Sequence, residues 1–423
     1  MTAAALLGLW SSAAVCAQSS VLSLDDVVRL ALANNRDVAA AAKEVDKSTD
    51  QIEAVRTNRL PQFSVRFIEP IILTDLDVRL GPIGALPLPH TFALVVGSAA
   101  QPITQLRDIA VGIKAAELTR DLANERLRAA RQTVVDEIKR AYYGCLRAES
   151  GLKPARDAVE LYREIERVVG AQVDERAALE SDRLEVQARR AQQEHDVVVL
   201  EDALATGRER LNVALARDPE TPIEFQPIPA SIPDEIDIHV ARARLLDQRP
   251  EIRQARIAVD LARADARLKQ LEQVPRVSAL GGYVGNINLP LLPGNIAAAI
   301  LQVTWEPFDW GRKSREYGIK ELAVRQAELQ LAQLEAGVTV ELNAKARALR
   351  ETRSLIGVTE LAERAAREKV RVMLDRHEES AVLTKDLLQA QVALAAAIHD
   401  CQAALLGYWE ARADFEKAAG GDQ

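Results

Sequence analysis

Residues 61–67, PQFSVRF, end one kind of sequence pattern and begin another. Pro61 lacks a backbone N–H and stops the helical pattern that precedes it. From Gln62 to Phe67 polar and apolar side chains then alternate, which is the period of a half-buried strand. Residues 275–285, PRVSALGGYVG, repeat the proline and the serine at the same spacing. The sequence therefore predicts that the chain passes from helix to strand twice.

The whole chain reads as two copies of one half-protein. At a fixed offset, residues 26–65 align without a gap with residues 240–279. A repeat this long is not the repeat of a solenoid, which spans roughly 20–50 residues. We predict a first structural repeat over 18–233 and a second over 234–423. Each runs helix, strand, loop, strand, very long helix, turn and helix.

Two segments in each half carry the strand pattern, and loops rich in Pro and Gly connect each pair. Each strand could run about 8–11 residues, the length that a tilted strand needs to cross a membrane. The four segments lie at about 62–68, 91–98, 276–285 and 298–305. Prolines mark the junctions between helix and strand, where we expect them to be structural: Pro61, Pro102, Pro275 and Pro307.

Helical patterns dominate the rest of the chain. The pattern is almost unbroken over about 108–173, and the return helices span about 180–217 and 381–418. About 65 helical residues at 1.5 Å each would reach roughly 100 Å, which predicts a coiled-coil-like tube. One continuous helix is predicted over about 23–59, and Pro250 marks a kink or a split in its counterpart.

Charge and composition exclude several classes of protein. Lys plus Arg is 54 and Asp plus Glu is 62, a net charge of −8 without a basic block, so nucleic-acid binding is not expected. The three cysteines and five histidines form no disulfide framework and no metal-ligand spacing. The sequence has no phosphate-binding Gly loop, no GxSxG and no paired Cys and His. We therefore expect neither a cofactor nor an enzymatic activity.

The N-terminus resembles a secretory leader. Residues 1–17 hold an apolar core that is too short to span a membrane, followed by a small-residue cleavage pattern, which predicts a signal peptide. Lipidation of Cys16 is the alternative to its removal with that peptide. No other apolar run reaches the roughly 18 residues of a membrane helix. A membrane crossing would therefore need a β-barrel.

Four strands per chain are too few to close such a barrel, since small barrels need about eight or more. An open strand edge in lipid would leave backbone groups without hydrogen-bond partners. Several chains must then share one barrel, and three would supply twelve strands around a lumen. The sequence thus predicts a mainly α chain with a small β part. Long antiparallel helices would form an α-barrel that continues the lumen, and the strands of three chains a 12-stranded, trimeric β-barrel.

Two motifs and the duplicated plan resemble the TolC family of outer-membrane efflux proteins, over essentially everything after the leader. Residues 24–35, LDDVVRLALANN, are similar to the family's opening "LTLxEAvxlAlxnNp". Residues 304–312, TWEPFDWGR, are similar to its "lsWplFDgGrr" at the entry to the second long helix. The resemblance implies a passive homotrimeric channel in the outer membrane that extends into the periplasm. It also implies two partners, a periplasmic adaptor (a membrane fusion protein) and an inner-membrane pump, in small-molecule efflux or type I secretion of polypeptide.

In that family, acidic side chains at the far ends of the long helices form constriction rings. The resemblance places Asp182 and Asp386 after the turn of each half, and Asp174 and Glu378 would add negative charge. Three copies on a threefold axis would bring like charges together, which favours cations and pH sensitivity. Solvated charge early in a helix is the alternative. The family's glycine six residues before this Asp is Arg176 in the first half and Ser380 in the second, a departure that bears on adaptor docking.

Three aromatic residues close to the second strand pair are candidates for a girdle at the membrane boundary: Trp305, Phe308 and Trp310. Ordinary packing at the strand–helix junction is the alternative.

A soluble periplasmic coiled-coil or adaptor-type protein without a barrel is the second interpretation of the chain, and it treats 61–102 and 275–307 as loops. A cytosolic scaffold is the third interpretation, and it requires that residues 1–17 are not a signal peptide.

Overall fold

The computed structural model is mainly helical, with strands at the positions where the helical patterns are interrupted. It describes residues 21–74, 77–79, 85–87, 89, 91–229, 231–233, 246–288, 293–378 and 384–421. The helices are α1 (Leu24–Asn34), α2 (Arg36–Thr57), α3 (Leu106–Asp174), α4 (Glu180–Ala214), α5 (Pro250–Leu271), α6 (Arg312–Glu378) and α7 (Thr384–Ala418). The strands are β1 (Val21–Leu22), β2 (Gln62–Ile68), β3 (Asp77–Arg79), β4 (Ala85–Pro87), β5 (Ala93–Pro102), β6 (Glu224–Phe225), β7 (Arg276–Ile287) and β8 (Asn295–Thr304).

One compact unit takes the described parts of Met1–Ala39, Ala130–Leu245 and Val338–Gln423. It holds α1, α4, α7, the later parts of α3 and α6, and the parallel pair of β1 and β6. Its core consists of large apolar side chains that the helices bury. The largest fully buried ones are Tyr142, Ile138, Ile165, Leu211, Leu215, Leu342, Tyr408 and Phe415. The Tyr142 hydroxyl lies 3.0 Å from the Leu22 carbonyl and 2.9 Å from the Gln226 carbonyl, which ties the β1–β6 pair to α3.

The other unit takes the described parts of Ala40–Ala129 and Leu246–Gly337. It holds most of α2, the first part of α3, α5, the first part of α6 and a four-stranded sheet. In neither unit do the described residues contain a helix apolar enough, over sufficient length, to cross a membrane.

The four-stranded sheet joins the two halves of the sequence. Its strand order is β2-β5-β7-β8, and every neighbouring pair is antiparallel. The central pair brings β5 of the first half against β7 of the second, from Ala93↔Ile287 to Pro102↔Ser278. Because β5 stays paired with β7 to its end, it runs to Pro102, beyond the expected limit near residue 98. The outer strands are β2 and β8.

The predicted continuous helix over 23–59 is two helices in the structure, divided at Asn35. The Asn35 N–H donates to the Ala31 carbonyl at 2.7 Å and ends α1. Its side-chain oxygen accepts hydrogen bonds from the N–H groups of Asp37 (2.8 Å) and Val38 (3.3 Å), which caps the start of α2. An asparagine satisfies these otherwise unpaired donors at a helix start. Pro250, where a kink or split was expected, is the first residue of α5, a position that proline favours.

Candidate functional site

One face of the four-stranded sheet is apolar along all four strands. Pairing puts Phe63, Val65 and Phe67 of β2 on this face, together with every second residue of the other strands. We call it the apolar face. Its remaining members are Ala93, Val95, Gly97, Ala99, Gln101, Val277, Ala279, Gly281, Tyr283, Gly285, Ile287, Asn295, Ala297, Ala299, Leu301 and Val303. Its two amide side chains, Gln101 and Asn295, lie near opposite ends of their strands.

The opposite face, here called the mixed face, carries hydroxyl, amide and guanidinium groups among apolar residues. Its polar members are Gln62, Ser64, Arg66, Ser98, Arg276, Ser278, Asn286, Gln302 and Thr304. The Ser64 and Ser98 hydroxyl oxygens form a cross-strand hydrogen bond of 2.8 Å. Most side chains of β2 and β8 are exposed on both faces. One face of the sheet is therefore apolar and the other carries polar groups, which is the pattern of strands with lipid on one side and water on the other.

Tyr283 occupies the apolar face at a place the sequence pattern did not single out. Its hydroxyl donates to the Asn295 side-chain oxygen at 2.7 Å, across the β7–β8 pair. Its cross-strand neighbour is Gly97, where an added Cβ would sit 3.8 Å from the Tyr283 Cβ. Gly285 is tighter, since a Cβ there would meet the Tyr283 ring at 3.3 Å. The sequence shows glycines around Tyr283, but only the strand register shows that Gly97 and Asn295 are its neighbours.

The four prolines predicted at helix–strand junctions lie close to strand ends. Pro61 and Pro275 immediately precede β2 and β7, Pro102 ends β5, and Pro307 lies between β8 and α6. Thr104, which sequence reasoning missed, joins two of these junctions.

The Thr104 hydroxyl donates to the Pro275 carbonyl at 3.0 Å and accepts from the Val277 N–H at 2.8 Å. The Ile103 N–H adds a bond to the Val277 carbonyl at 3.0 Å. These bonds fasten the exit of β5 to the entry of β7, so the two halves share one junction.

The three predicted girdle aromatics are exposed in the chain. Trp305 is 60% exposed, Phe308 83% and Trp310 95%. The girdle stays a prediction, and ordinary packing at the strand–helix junction is its alternative. By the alternation of β8, Trp305 would extend the apolar face by one more position.

The predicted acidic residues lie at helix ends in the other unit. Asp174 is the last residue of α3, and Asp182 lies in the first turn of α4. The Asp182 carboxylate accepts a hydrogen bond from the Leu179 N–H at 3.1 Å, which gives it a capping role. Asp386 is exposed in the first turn of α7. The Glu378 side chain and Cys16 lie outside the described residues.

A small apolar cluster holds these helix ends together. It consists of Ile165 and Val169 of α3, Val186 of α4 and Leu388 of α7. Val186 follows Asp182 by about one helical turn, and Leu388 follows Asp386 by two residues. The cluster therefore draws the first turns of α4 and α7 against α3, although it does not pair the two carboxylates.

Arg176, which replaces the family's glycine, adopts a left-handed backbone with φ of 58°. It ends α3, as the Ala177 N–H reaches back to the Gln172 carbonyl at 2.7 Å. A glycine would hold this helix-ending conformation without the steric cost that a side chain brings. The turn thus keeps the backbone conformation that a glycine would adopt, and the Arg176 side chain adds a positive charge to it.

The two cysteines of the helices show no features of a reactive site. Burial raises the pKa of the Cys145 thiol to about 11, and Cys145 packs against Gly207, where any added Cβ would collide with the sulfur. Burial and a hydrogen bond with Glu363 also raise the pKa of Cys401. A raised pKa keeps a thiol protonated and unreactive. Among the described residues, no group of three His, Cys, Asp or Glu side chains is placed to hold a metal ion.

The chain is similar to known proteins both in part of its sequence and in its fold. Residues 241–421 match the family model described as outer membrane efflux protein. A search of curated proteins finds no match. Among solved structures, the fold is similar to the Campylobacter jejuni CmeC outer membrane channel, with a TM-score of 0.80, 16% identity, and coverage of 94% of this chain and 85% of that chain.

Two further channels have a similar fold. The outer membrane protein VceC from Vibrio cholerae gives a TM-score of 0.77 at 15% identity, covering 94% of this chain and 96% of that one. The open state of the Neisseria gonorrhoeae MtrE outer membrane channel gives 0.70 at 17% identity, covering 94% and 89%. At these identities the similarity concerns the fold. Together with the family model, it confirms the resemblance to TolC-like outer-membrane efflux proteins, a family of channels rather than enzymes.

Proposed function

Because the chain has the fold of TolC-like outer-membrane efflux channels and matches their family model in its second half, we propose that it is a passive trimeric conduit. It sits in the outer membrane, extends into the periplasm, and carries small molecules or polypeptide in a tripartite efflux or type I secretion system. A periplasmic adaptor and an inner-membrane pump are its partners. The single observation that carries this proposal is the four-stranded sheet with one apolar face and two unpaired edges.

The sheet edges support assembly with further copies of the chain. Among the described residues, β2 and β8 each pair with one strand only. In lipid, each unpaired backbone N–H or C=O group costs several kcal/mol, which is roughly the free energy lost when a hydrogen bond is not formed in an apolar medium. β2 of one copy on β8 of the next satisfies those groups. Three copies give twelve strands, enough for a wall around an aqueous lumen.

In the unit that holds the β1–β6 pair, the described long helices also form a row with two outer members. Ion pairs join α3 to α4 (Arg156–Glu201, 2.6 Å) and α3 to α7 (Arg147–Glu410, 2.6 Å). Another ion pair joins α7 to α6, between Asp414 and Lys345. The helix order that follows is α4-α3-α7-α6, with α4 and α6 at the ends. In a ring of three copies, α4 of one meets α6 of the next.

Each of these end helices carries an exposed stripe of mostly apolar residues at heptad spacing. On α4 it consists of Leu184, Ala188, Ala191 and Val198, and on α6 of Leu355, Val358, Ala362 and Ala365. On α6 the stripe lies two residues from buried Ile356 and so on the opposite side of the helix, since each residue turns the helix by 100°. Apolar stripes with steps of three and four residues are what coiled-coil partners bury. A second copy of the chain is the partner that matches them.

The acidic helix ends supply the periplasmic constriction in this proposal. Asp386 is the main group, because it is exposed in the first turn of α7. Asp182 and Asp174 add charge, although Asp182 also caps α4. Like charges from three copies attract cations.

Oligomeric state tests the conduit directly. Val358→Glu places a carboxylate in the α6 stripe, and Val358→Leu is its matched control, because it changes the side chain at the same 61% exposed position but keeps it apolar. We expect Val358→Glu to lose the heat-sensitive trimer on a gel and the control to keep it. A monomeric, water-soluble wild-type protein would contradict the conduit itself.

Conductance in planar bilayers tests the constriction. Asp386→Ala should raise the single-channel conductance or alter block by cations. Asp400→Ala, an exposed acid farther along the same helix, serves as the control. Unchanged conductance and block in Asp386→Ala would remove Asp386 from the constriction while leaving the channel in place.

A further inference from the structure

The charge that the four-stranded sheet carries is of one sign. Among the described residues of β2, β5, β7 and β8, the charged side chains are Arg66 of β2 and Arg276 of β7, and these strands contain no Asp, Glu or Lys. Strand pairing puts both arginines on the mixed face. In the proposed channel the mixed face lines the lumen, so the strands contribute only positive charge to the lumen wall.

The two arginines lie toward opposite ends of the sheet. Arg66 is opposite Val96 of β5, and Val96 is opposite Val284 of β7. Val284 follows Arg276 by eight residues on the same strand, which at about 3.4 Å per residue is a separation of about 27 Å. Because β2 and β7 both start shortly after a helix ends, Arg276 lies at the helical end of the sheet and Arg66 toward the other end.

The surroundings of the two arginines differ in charge. Arg276 lies within electrostatic reach of Asp108, which also interacts with Glu272. Arg66 is exposed and has no ion-pair partner among the described residues. The acid nearest to it along the chain, Glu69, follows the end of β2 and forms no ion pair with it. Arg66 therefore keeps a full positive charge, whereas two acids offset the charge of Arg276.

The lumen of the proposed barrel is narrow enough for a charge on its wall to act across it. Twelve strands about 4.8 Å apart and tilted by about 40° enclose a barrel about 12 Å in radius. The Debye length is about 10 Å at 0.1 M salt and about 3 Å at 1 M salt. The field of a charge on the wall thus extends over most of the lumen at the lower salt concentration and is screened at the higher one.

We propose that three copies of Arg66 form a cationic ring in the barrel lumen, away from its helical end, and that this Arg66 ring binds polyvalent anions such as organic carboxylates and phosphates and repels cations. Rings of Arg side chains favour anions in other pores. The proposal rests on the proposed function, because it requires three copies and a lumen on the mixed face. The Arg66 ring has the opposite sign to the constriction proposed for Asp386, so a solute would pass two sites of opposite charge.

Block of the single-channel current by citrate, a polyvalent anion, tests the Arg66 ring. Wild type, Arg66→Gln and Arg66→Lys are compared in planar bilayers at about 0.1 M KCl, where wall charges are least screened. Citrate is added to each chamber in turn, because the ring lies toward one end of the barrel. Arg66→Lys is the matched control, since it changes the side chain but keeps its charge. Arg276→Gln removes the arginine whose charge is offset.

We expect citrate to block wild type from one chamber. Arg66→Gln should raise the half-blocking citrate concentration about tenfold, the low end of the effect that a field of one sign has on the local ion concentration. Arg66→Lys should keep the block, Arg276→Gln should change it less, and about 1 M KCl should abolish it in wild type. Equal block of wild type and Arg66→Gln would overturn the Arg66 ring and leave the channel standing. A wild type that forms no channels would instead count against the proposed function.

Arg66→Cys, in a background without the native cysteines, gives the same comparison if Arg66→Gln does not form the trimer. A cationic or an anionic thiol reagent is added after the channel has inserted, so that the charge at residue 66 changes without any effect on folding. Cationic modification should restore the block by citrate, and anionic modification should not. Equal block after both reagents would also overturn the Arg66 ring.

Discussion

The two faces of the four-stranded sheet differ most clearly on β2. Phe63, Val65 and Phe67 point to the apolar face, and the residues between them, including Ser64 and Arg66, point to the mixed face. Both sets are exposed in a single chain. A sheet in a compact soluble protein buries its apolar face against a second layer. Here the difference between the faces instead fits a wall with lipid on one side and water on the other.

A charge placed on each face in turn should produce the largest difference. Val65→Arg puts a guanidinium on the apolar face in the middle of β2. At the middle of a bilayer a lipid-facing Arg costs about 2–4 kcal/mol, and three copies would each bear it. We expect Val65→Arg to reduce the amount of folded trimer in outer-membrane fractions severely.

Ser64→Arg is the matched control, because Ser64 is adjacent on the same strand and faces the other way. It should insert like wild type, with a change in ion selectivity at most. Equal loss in both variants would mean that β2 tolerates no bulk at all, and equal tolerance would mean that neither face meets lipid.

The junction that Thr104 forms should give the next largest effect. Thr104→Val keeps the shape but removes the acceptor of the Val277 N–H and the donor to the Pro275 carbonyl. A partly buried group left without its partner costs about 1–3 kcal/mol. Thermal unfolding of the trimer should start at a lower temperature in Thr104→Val. Thr304→Val, at the exposed end of β8, should leave the unfolding temperature close to wild type.

The smallest expected effect lies on the mixed face itself. The Ser64–Ser98 hydrogen bond is exposed, so we expect it to stabilise the sheet by about 0.5 kcal/mol, the low end for such bonds. A double-mutant cycle with Ser64→Ala, Ser98→Ala and both together measures the coupling free energy in unfolding experiments. A coupling free energy of several kcal/mol would mean that water does not reach this face.

Local sequence patterns predicted the strands but not their arrangement. Alternation from Gln62 to Phe67 is local, so it placed β2 correctly, and Pro61 and Pro275 fixed the starts of β2 and β7. The pairing of β5 with β7 is a contact across the two halves, and no single segment encodes it. The register in turn decides that Tyr283 stands beside Gly97.

Local sequence patterns also fail to predict two other features. The apolar periodicity over 23–59 runs on through Asn35, whereas the capping bonds of its side chain break the helix there. The acidic residues were located by resemblance, and the structure adds that Asp182 caps α4. Whether Asp386 lines a constriction depends on neighbouring copies, because a ring on a threefold axis exists only in the assembly.

Chemical labelling along β2 tests most directly whether the apolar face meets lipid. Single cysteines at residues 63, 64, 65, 66 and 67, in a background without the native cysteines, are exposed to a charged maleimide while the trimer sits in the membrane. We expect labelling at 64 and 66, which face water, and little labelling at 63, 65 and 67. Uniform labelling along the strand, or labelling confined to the odd positions, would contradict it.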